Sequence, residues 1–152
     1  MLRQQLNDAL KEAMKAKQEL AVSTLRLILA ALKDRDIANR TEGADDPGIG
    51  DDQILQLLQS MIKQRRDSIE AYEKGGRQEL ADWEAGEIEI IQRFLPEQMD
   101  DEALEEAVAQ IITEAGASSI KDMGNVMGKL RGKYAGQMDF GKASAMVKKR
   151  LG

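Results

Sequence analysis

The stretch SSIKDMGNVMGKLRGKYAGQMD, Ser118 to Asp139, decides how the chain is read. Ser119 with Asp122 three residues on forms a capping-box pattern, with Asp in place of the usual Glu. Met123, Met127 and Leu130 follow at i, i+4 and i+7, which puts them on one face of a helix. Gly124, Gly128 and Gly132 recur every fourth residue and form a second stripe. A glycine inside a helix costs about 1 kcal/mol relative to alanine, so three of them require a reason. Either another helix packs closely against the bare backbone, or an outside ligand such as an RNA backbone approaches it. Lys129, Arg131 and Lys133 on the same segment favour a polyanion for the second case. Gly136-Gln137-Met138 then makes a turn, and Asp139 caps a last helix to Leu151 that ends in Lys148, Lys149 and Arg150, where the macrodipole favours cations.

Working outward, the remainder reads as helix throughout. Leu2, Leu6, Ala9, Leu10, Ala13 and Met14 fall at helical spacing, and the chain turns at Lys15–Glu19. A second helix over Leu20–Asn39 points Val22, Leu25, Ile28, Leu29, Leu32 and Ile37 inward, with Leu27 broadening its apolar face. Arg26 borders that face as a surface arginine or a partner contact. Thr41–Gly50 holds three glycines, Pro47 and three acids in ten residues and reads as a loop. Asp51 or Asp52 caps a third helix to Lys74, which Gly75-Gly76 ends. Its inward set is Ile54, Leu55, Leu58, Met61, Ile62, Ile69 and Tyr72. Arg77–Phe94 is a fourth helix, with Trp83 expected as a core anchor. The residue before Pro96 avoids the α region, so Leu95-Pro96 marks a boundary between a 1–95 helical domain and a 96–152 domain of three helices. Asp100 caps the first of those, and Gly116 closes it. The fold class is all-α: an N-terminal helical bundle of hairpins followed by a small three-helix domain. No strand pattern or repeat is present.

Composition narrows the function. The chain has 152 residues, no cysteine and no histidine. There is thus no thiolate chemistry, no imidazole base and none of the commonest metal ligand. Ser118-Ser119 with Lys121 is better explained by helix capping than by a serine–lysine catalytic pair. Glu84 and Glu87 form a carboxylate pair at i, i+3, without a third ligand nearby. A salt bridge to Arg65, Arg66 or Arg93, locking helices three and four together, is the better reading. No GxxxxGK[ST] loop is present. We therefore expect no catalytic residues, metal or cofactor. The charged N-terminus lacks an apolar signal core, and Leu27–Leu32 is too short to span a bilayer. A soluble cytoplasmic protein follows, without a membrane or DNA partner.

The net charge of −5 conceals an asymmetry, because Ala117–Gly152 carries eight basic side chains against two acidic ones. An acidic body with a basic tail points to a polyanionic partner, or to a tail docked on its own body. The candidate RNA-binding set is Gly124, Gly128, Lys129, Arg131, Gly132, Lys133, Lys142, Lys148, Lys149 and Arg150. Lys63, Arg65 and Arg66 form a second basic patch, or ordinary pairs with Asp67 and Glu70.

Asp122-Met-Gly-Asn-Val-Met-Gly-Lys-Leu with Gly136 and Asp139 resembles the signature of the GatB/YqeY family. Leu25-Arg26, Lys63-Gln64-Arg65-Arg66-Asp67-Ser68-Ile69 and Leu95-Pro96 extend the likeness along nearly the whole chain. In that family a glycine-rich helical tail closes the GatB component of the glutamine-dependent tRNA amidotransferase, and it also occurs in small stand-alone YqeY-like proteins. The resemblance implies an association with tRNA, gripped by the tail, and a label of carbon–nitrogen ligase with glutamine as amido-nitrogen donor. It also implies that the glutaminase and the ATP-dependent site lie in parts this chain does not resemble. The expected role is therefore a tRNA-binding accessory module without catalysis of its own. The alternatives are an adaptor that docks an aminoacyl-tRNA synthetase or amidotransferase, and a true amidotransferase component. Few aromatics can stack on splayed bases, Tyr134 and Phe140 being the tail's only candidates, so shape would be read over base sequence.

Overall fold

A computed structural model describes residues 1–39 and 48–152. Most of the expected Thr41–Gly50 loop, through Pro47, lies outside the described residues. The described residues form seven α-helices, one short 3-10 turn and no strand. The helices are α1 (Leu2–Lys15), α2 (Glu19–Ala38), α3 (Asp51–Lys74), α4 (Gln78–Gln92), α5 (Asp101–Ala115), α6 (Met123–Tyr134) and α7 (Phe140–Leu151). The chain divides into two compact units, Met1–Leu95 and Pro96–Gly152.

The first unit holds α1 to α4 around a core that includes Leu6, Leu25, Ile28, Ile54, Leu58 and Ile91. Each contributing helix presents its apolar residues at i, i+3 or i+4, so burial selects one face per helix. A latch joins α1, α2 and the entry to α3. Arg3 donates to both carboxylate oxygens of Asp36, at 2.7 and 3.0 Å, and to the Ile49 carbonyl at 3.1 Å. Asp36 also accepts the Ile49 N–H at 2.9 Å. The Arg3 hydrogen bond holds the Asp36 carboxyl below the usual carboxylate range. The expected side-chain cap of α3 is absent. Gly50 occupies the N-cap position, and Asp51 instead accepts the Leu2 N–H at 3.3 Å, across to α1.

The α2–α4 crossing is close. A methyl built on Gly86 would stand 2.7 Å from Leu20 Cδ2. Four positions beyond Leu20, the Thr24 hydroxyl is fully buried without a hydrogen-bond partner among the described residues.

Four expectations about the core are corrected, two of them because Met14 and Leu27, read with the apolar faces of α1 and α2, are 50% and 47% exposed. Ile37 is 59% exposed, since it lies in the last turn of α2, past the buried set that ends at Leu32. Trp83 is 50% exposed and anchors no core. The fully buried residues of α4 are instead Ala81, Glu87, Ile90 and Ile91, and Trp83 lies outside the core cluster of the unit. Residues 66–85 of the α3–α4 hairpin lie outside that core cluster. Within α3 the last fully buried residue is Ile62, twelve residues before the helix ends at Lys74.

The second unit packs α5, α6 and α7 around Leu104, Val108, Ile111, Val126, Leu130, Ala143 and Val147. Asp100 caps α5 by accepting the Ala103 N–H at 2.8 Å, and Gly116 ends that helix in the left-handed region at φ 63°. Asp139 caps α7 through the N–H groups of Gly141 and Lys142. Met138, in the turn between α6 and α7, is buried and pins that turn to the core.

Candidate nucleic-acid interface

The α6 helix begins from a short 3-10 turn, Ile120–Asp122, rather than directly from Ser119. The Asp122 carboxylate accepts the N–H groups of Ser118 at 3.0 Å and Ser119 at 3.2 Å. These backbone hydrogen bonds hold its carboxyl below the ordinary range. Val126, Met127 and Leu130 are buried against the core of the unit, which fixes the rotation of the helix. The three glycines consequently fall on the opposite side, and all three are exposed. A Cβ built on Gly124, Gly128 or Gly132 meets nothing within 4 Å. Close packing by another helix of this unit is therefore not what keeps the stripe bare.

Helical spacing places Arg131 beside the stripe, three residues after Gly128, and Lys129 on its other side, three residues before Gly132. Both are exposed, as is Lys133, whose ammonium lies 5.4 Å from the centre of the Tyr134 ring. Asn125 and Lys121 are exposed as well. Asn125 became legible only once the buried face of α6 was known, because its residue type is ordinary on any helix surface. Lys121 is part of the basic surplus in the sequence and lies in the turn preceding α6.

On α7, Ala143, Val147 and Leu151 are buried at i, i+4 and i+8. Lys142, Lys148, Lys149 and Arg150 are exposed around the rest of the helix. Lys142 is 3.3 Å from Asp101 in an exposed ion pair, a contact of small net value in water. Among the described residues, no ion pair engages Lys129, Arg131, Lys133, Lys148, Lys149 or Arg150. The candidate residues thus share one unit but occupy two helices, a glycine-backed row on α6 and a basic final turn on α7.

The second basic patch is smaller than the sequence implied. Arg65 lies four residues after Met61 and seven after Leu58, on the inward face of α3. Its guanidinium donates through Nε and Nη2 to one oxygen of the buried Glu87, at 3.2 and 3.0 Å. It also lies 3.9 Å from Glu84 and is only 13% exposed. This is the helix-locking salt bridge anticipated for the Glu84–Glu87 pair. Burial, reinforced by the neighbouring Glu87 charge, pushes the Glu84 carboxyl up. Only Lys63 and Arg66 remain exposed from that patch. No group of three or more acidic residues able to hold a metal ion occurs among the described residues. No helix of the described residues is long and apolar enough to cross a membrane.

The fold and site define a class: an all-α protein ending in a three-helix unit with a bare, cation-flanked helix face. The model of the YqeY-like protein family matches residues 3–151, and the chain belongs to that family. Among curated proteins it is 32% identical over 116 residues to "Altered inheritance of mitochondria protein 41, mitochondrial" of Lachancea thermotolerans, covering 75% of this chain and 59% of that protein. The protein of the same description from Saccharomyces cerevisiae (strain YJM789) is 28% identical over 131 residues, covering 82% and 68%. The Vanderwaltozyma polyspora protein is 30% identical over 125 residues, covering 78% and 64%. The chain thus spans roughly three-fifths to two-thirds of the length of these relatives.

Proposed function

We propose that this chain is a tRNA-binding accessory module without catalysis of its own, and that its C-terminal unit makes the contact. The observation that carries the reading is the open space beyond Gly124, Gly128 and Gly132. A helix that forgoes three side chains on its solvent face loses helix propensity and gains no packing. The loss is offset if a phosphodiester backbone lies along the ridge. Lys129, Arg131 and Lys133 then neutralise phosphates on α6, and Lys148, Lys149 and Arg150 do so on α7, with Lys142 exchanging Asp101 for phosphate. Tyr134 and Phe140 are both half-buried, so the unit offers no exposed aromatic platform for unstacked bases and suits the shape of a folded RNA.

Titrating fluorescently labelled bulk tRNA with the purified chain tests this. If all seven of these cations neutralise phosphates, affinity should fall roughly 10³- to 10⁴-fold between 50 and 200 mM salt. Replacing Lys129 and Arg131 by Glu should abolish binding without unfolding the protein. Absence of binding at micromolar protein, or a salt-independent affinity, would end the proposal. Incubation with glutamyl-tRNA, glutamine and ATP should yield no glutaminyl-tRNA, and a positive result would replace the accessory role with an enzymatic one. The compartment read from the sequence is the cytoplasm. The relatives are described as mitochondrial, so the mitochondrion is the second compartment to test, by fractionation.

A further inference from the structure

The outer half of the α3–α4 hairpin, residues 66–85, has features that RNA binding by the other unit does not use. Past the Arg65–Glu87 pair the two helices run on together, outside the core cluster of the first unit. Ile69 and Tyr72 continue the inward face of α3 at i+4 and i+7 from Arg65. Trp83 stands one turn before Glu87 on α4, with Leu80 a turn earlier. Ile69, Tyr72 and Leu80 are half-buried, and Trp83, the only tryptophan in the chain, is 50% exposed. Of this segment only Ala81 is fully buried, and an exposed tryptophan is of the residue type that dominates protein interfaces.

Charge selects the occupant. The segment carries six acidic residues against three basic ones. Of the three, Lys74 pairs with Glu70 at 3.0 Å and Arg77 with Glu79 at 2.8 Å. The surplus negative charge repels nucleic acid and complements a cationic surface.

We propose that this projecting hairpin docks a basic amphipathic helix of a partner protein, with Trp83 inserted among its apolar residues and Asp67, Glu73 and Asp82 facing its lysines and arginines. Burial of the indole supplies affinity, and the acidic rim supplies orientation and selectivity. The inference stands independently of the RNA reading, since it concerns the other unit.

Photo-crosslinking of the full chain in cells tests it. A benzophenone side chain is placed at Glu79, at Asp82 and, as an off-site control, at Ala30, which is exposed on α2. The expected result is a protein adduct at the first two positions and none at Ala30, with the crosslinked peptide coming from a lysine- or arginine-rich helix. That protein, purified and titrated into the full chain, should shift the Trp83 emission to the blue. Trp83→Ala and Asp82→Lys, each checked for an unchanged melting temperature, should weaken its affinity about tenfold or more. Either variant decides the matter if the other fails to fold. The proposal is overturned by no protein adduct, by equal adducts at Ala30, or by adducts only to RNA or to a second copy of the chain. It is also overturned by a partner helix that is acidic, or by one whose affinity survives both substitutions.

Discussion

In α4 a methyl added to Gly86 would stand 2.7 Å from Leu20 Cδ2, whereas in α6 a methyl added to Gly124, Gly128 or Gly132 would meet nothing within 4 Å. The first unit uses a glycine to bring two helices together. The second leaves three bare where no helix arrives. The contrast extends to charge. The first unit encloses Arg65 between Glu87 and Glu84, while the second leaves most of its cations facing solvent and without acidic partners among the described residues. A glycine at a crossing serves stability. A glycine in open space reduces stability and needs a ligand, or some other use, to explain it.

Four measurements break or sharpen that comparison. The largest effect is expected at the enclosed arginine. Arg65→Ala leaves the Glu87 carboxylate buried without its partner and should destabilise the first unit by about 3 kcal/mol in urea unfolding. The double variant Arg65→Met with Glu87→Leu should recover most of that loss, because the penalty belongs to the orphaned charge. A loss below about 1 kcal/mol for the single variant would mean that the pair is as solvated as a surface one.

The latch comes next. Asp36→Asn should cost about 1 kcal/mol at pH 7, after screening of this partly exposed pair by water. The Asp36 pKa is lowered in the fold. Its contribution is therefore complete above the unfolded value, about 3.9, and is lost as the pH falls through the folded value. Melting temperatures of the two proteins should differ at pH 7 and converge as the pH falls through the folded value. A gap that persists in acid would assign the effect to packing instead. Glu84, whose pKa is raised, acts in the opposite sense, contributing stability in acid that is lost as the pH rises through its folded value.

Gly128→Ala should stabilise the second unit by about 1 kcal/mol, because helix propensity improves where nothing is displaced. The same substitution should weaken tRNA binding. Gain of stability with unchanged affinity would leave the stripe without a ligand to account for it. Gly86→Ala should show the smallest change, within about 0.5 kcal/mol of neutral, as the propensity gain is offset by displacement of the Leu20 methyl. If Gly86→Ala stabilised as much as Gly128→Ala, the two kinds of glycine would be energetically alike.

The sequence alone determined the helical character of the chain and nearly every helix end. Those features follow from local chemistry: the period of the apolar residues, Asp100 and Asp139 as caps, and Gly75, Gly76 and Gly116 as stops. It also determined the surplus of cations in the last 36 residues. It did not determine which glycines are covered, because spacing every four residues is the same for a packed face and a bare one. Nor did it place Trp83 correctly, since a large apolar residue reads as core, and it left Arg65 open between a basic surface patch and the salt bridge to Glu84 and Glu87 that the fold forms. Only the tertiary structure decided those positions, because exposure depends on where neighbouring helices begin and end. Trp83 falls outside the core cluster of its unit and stays half exposed, and the inward face of α3 turns Arg65 onto Glu87.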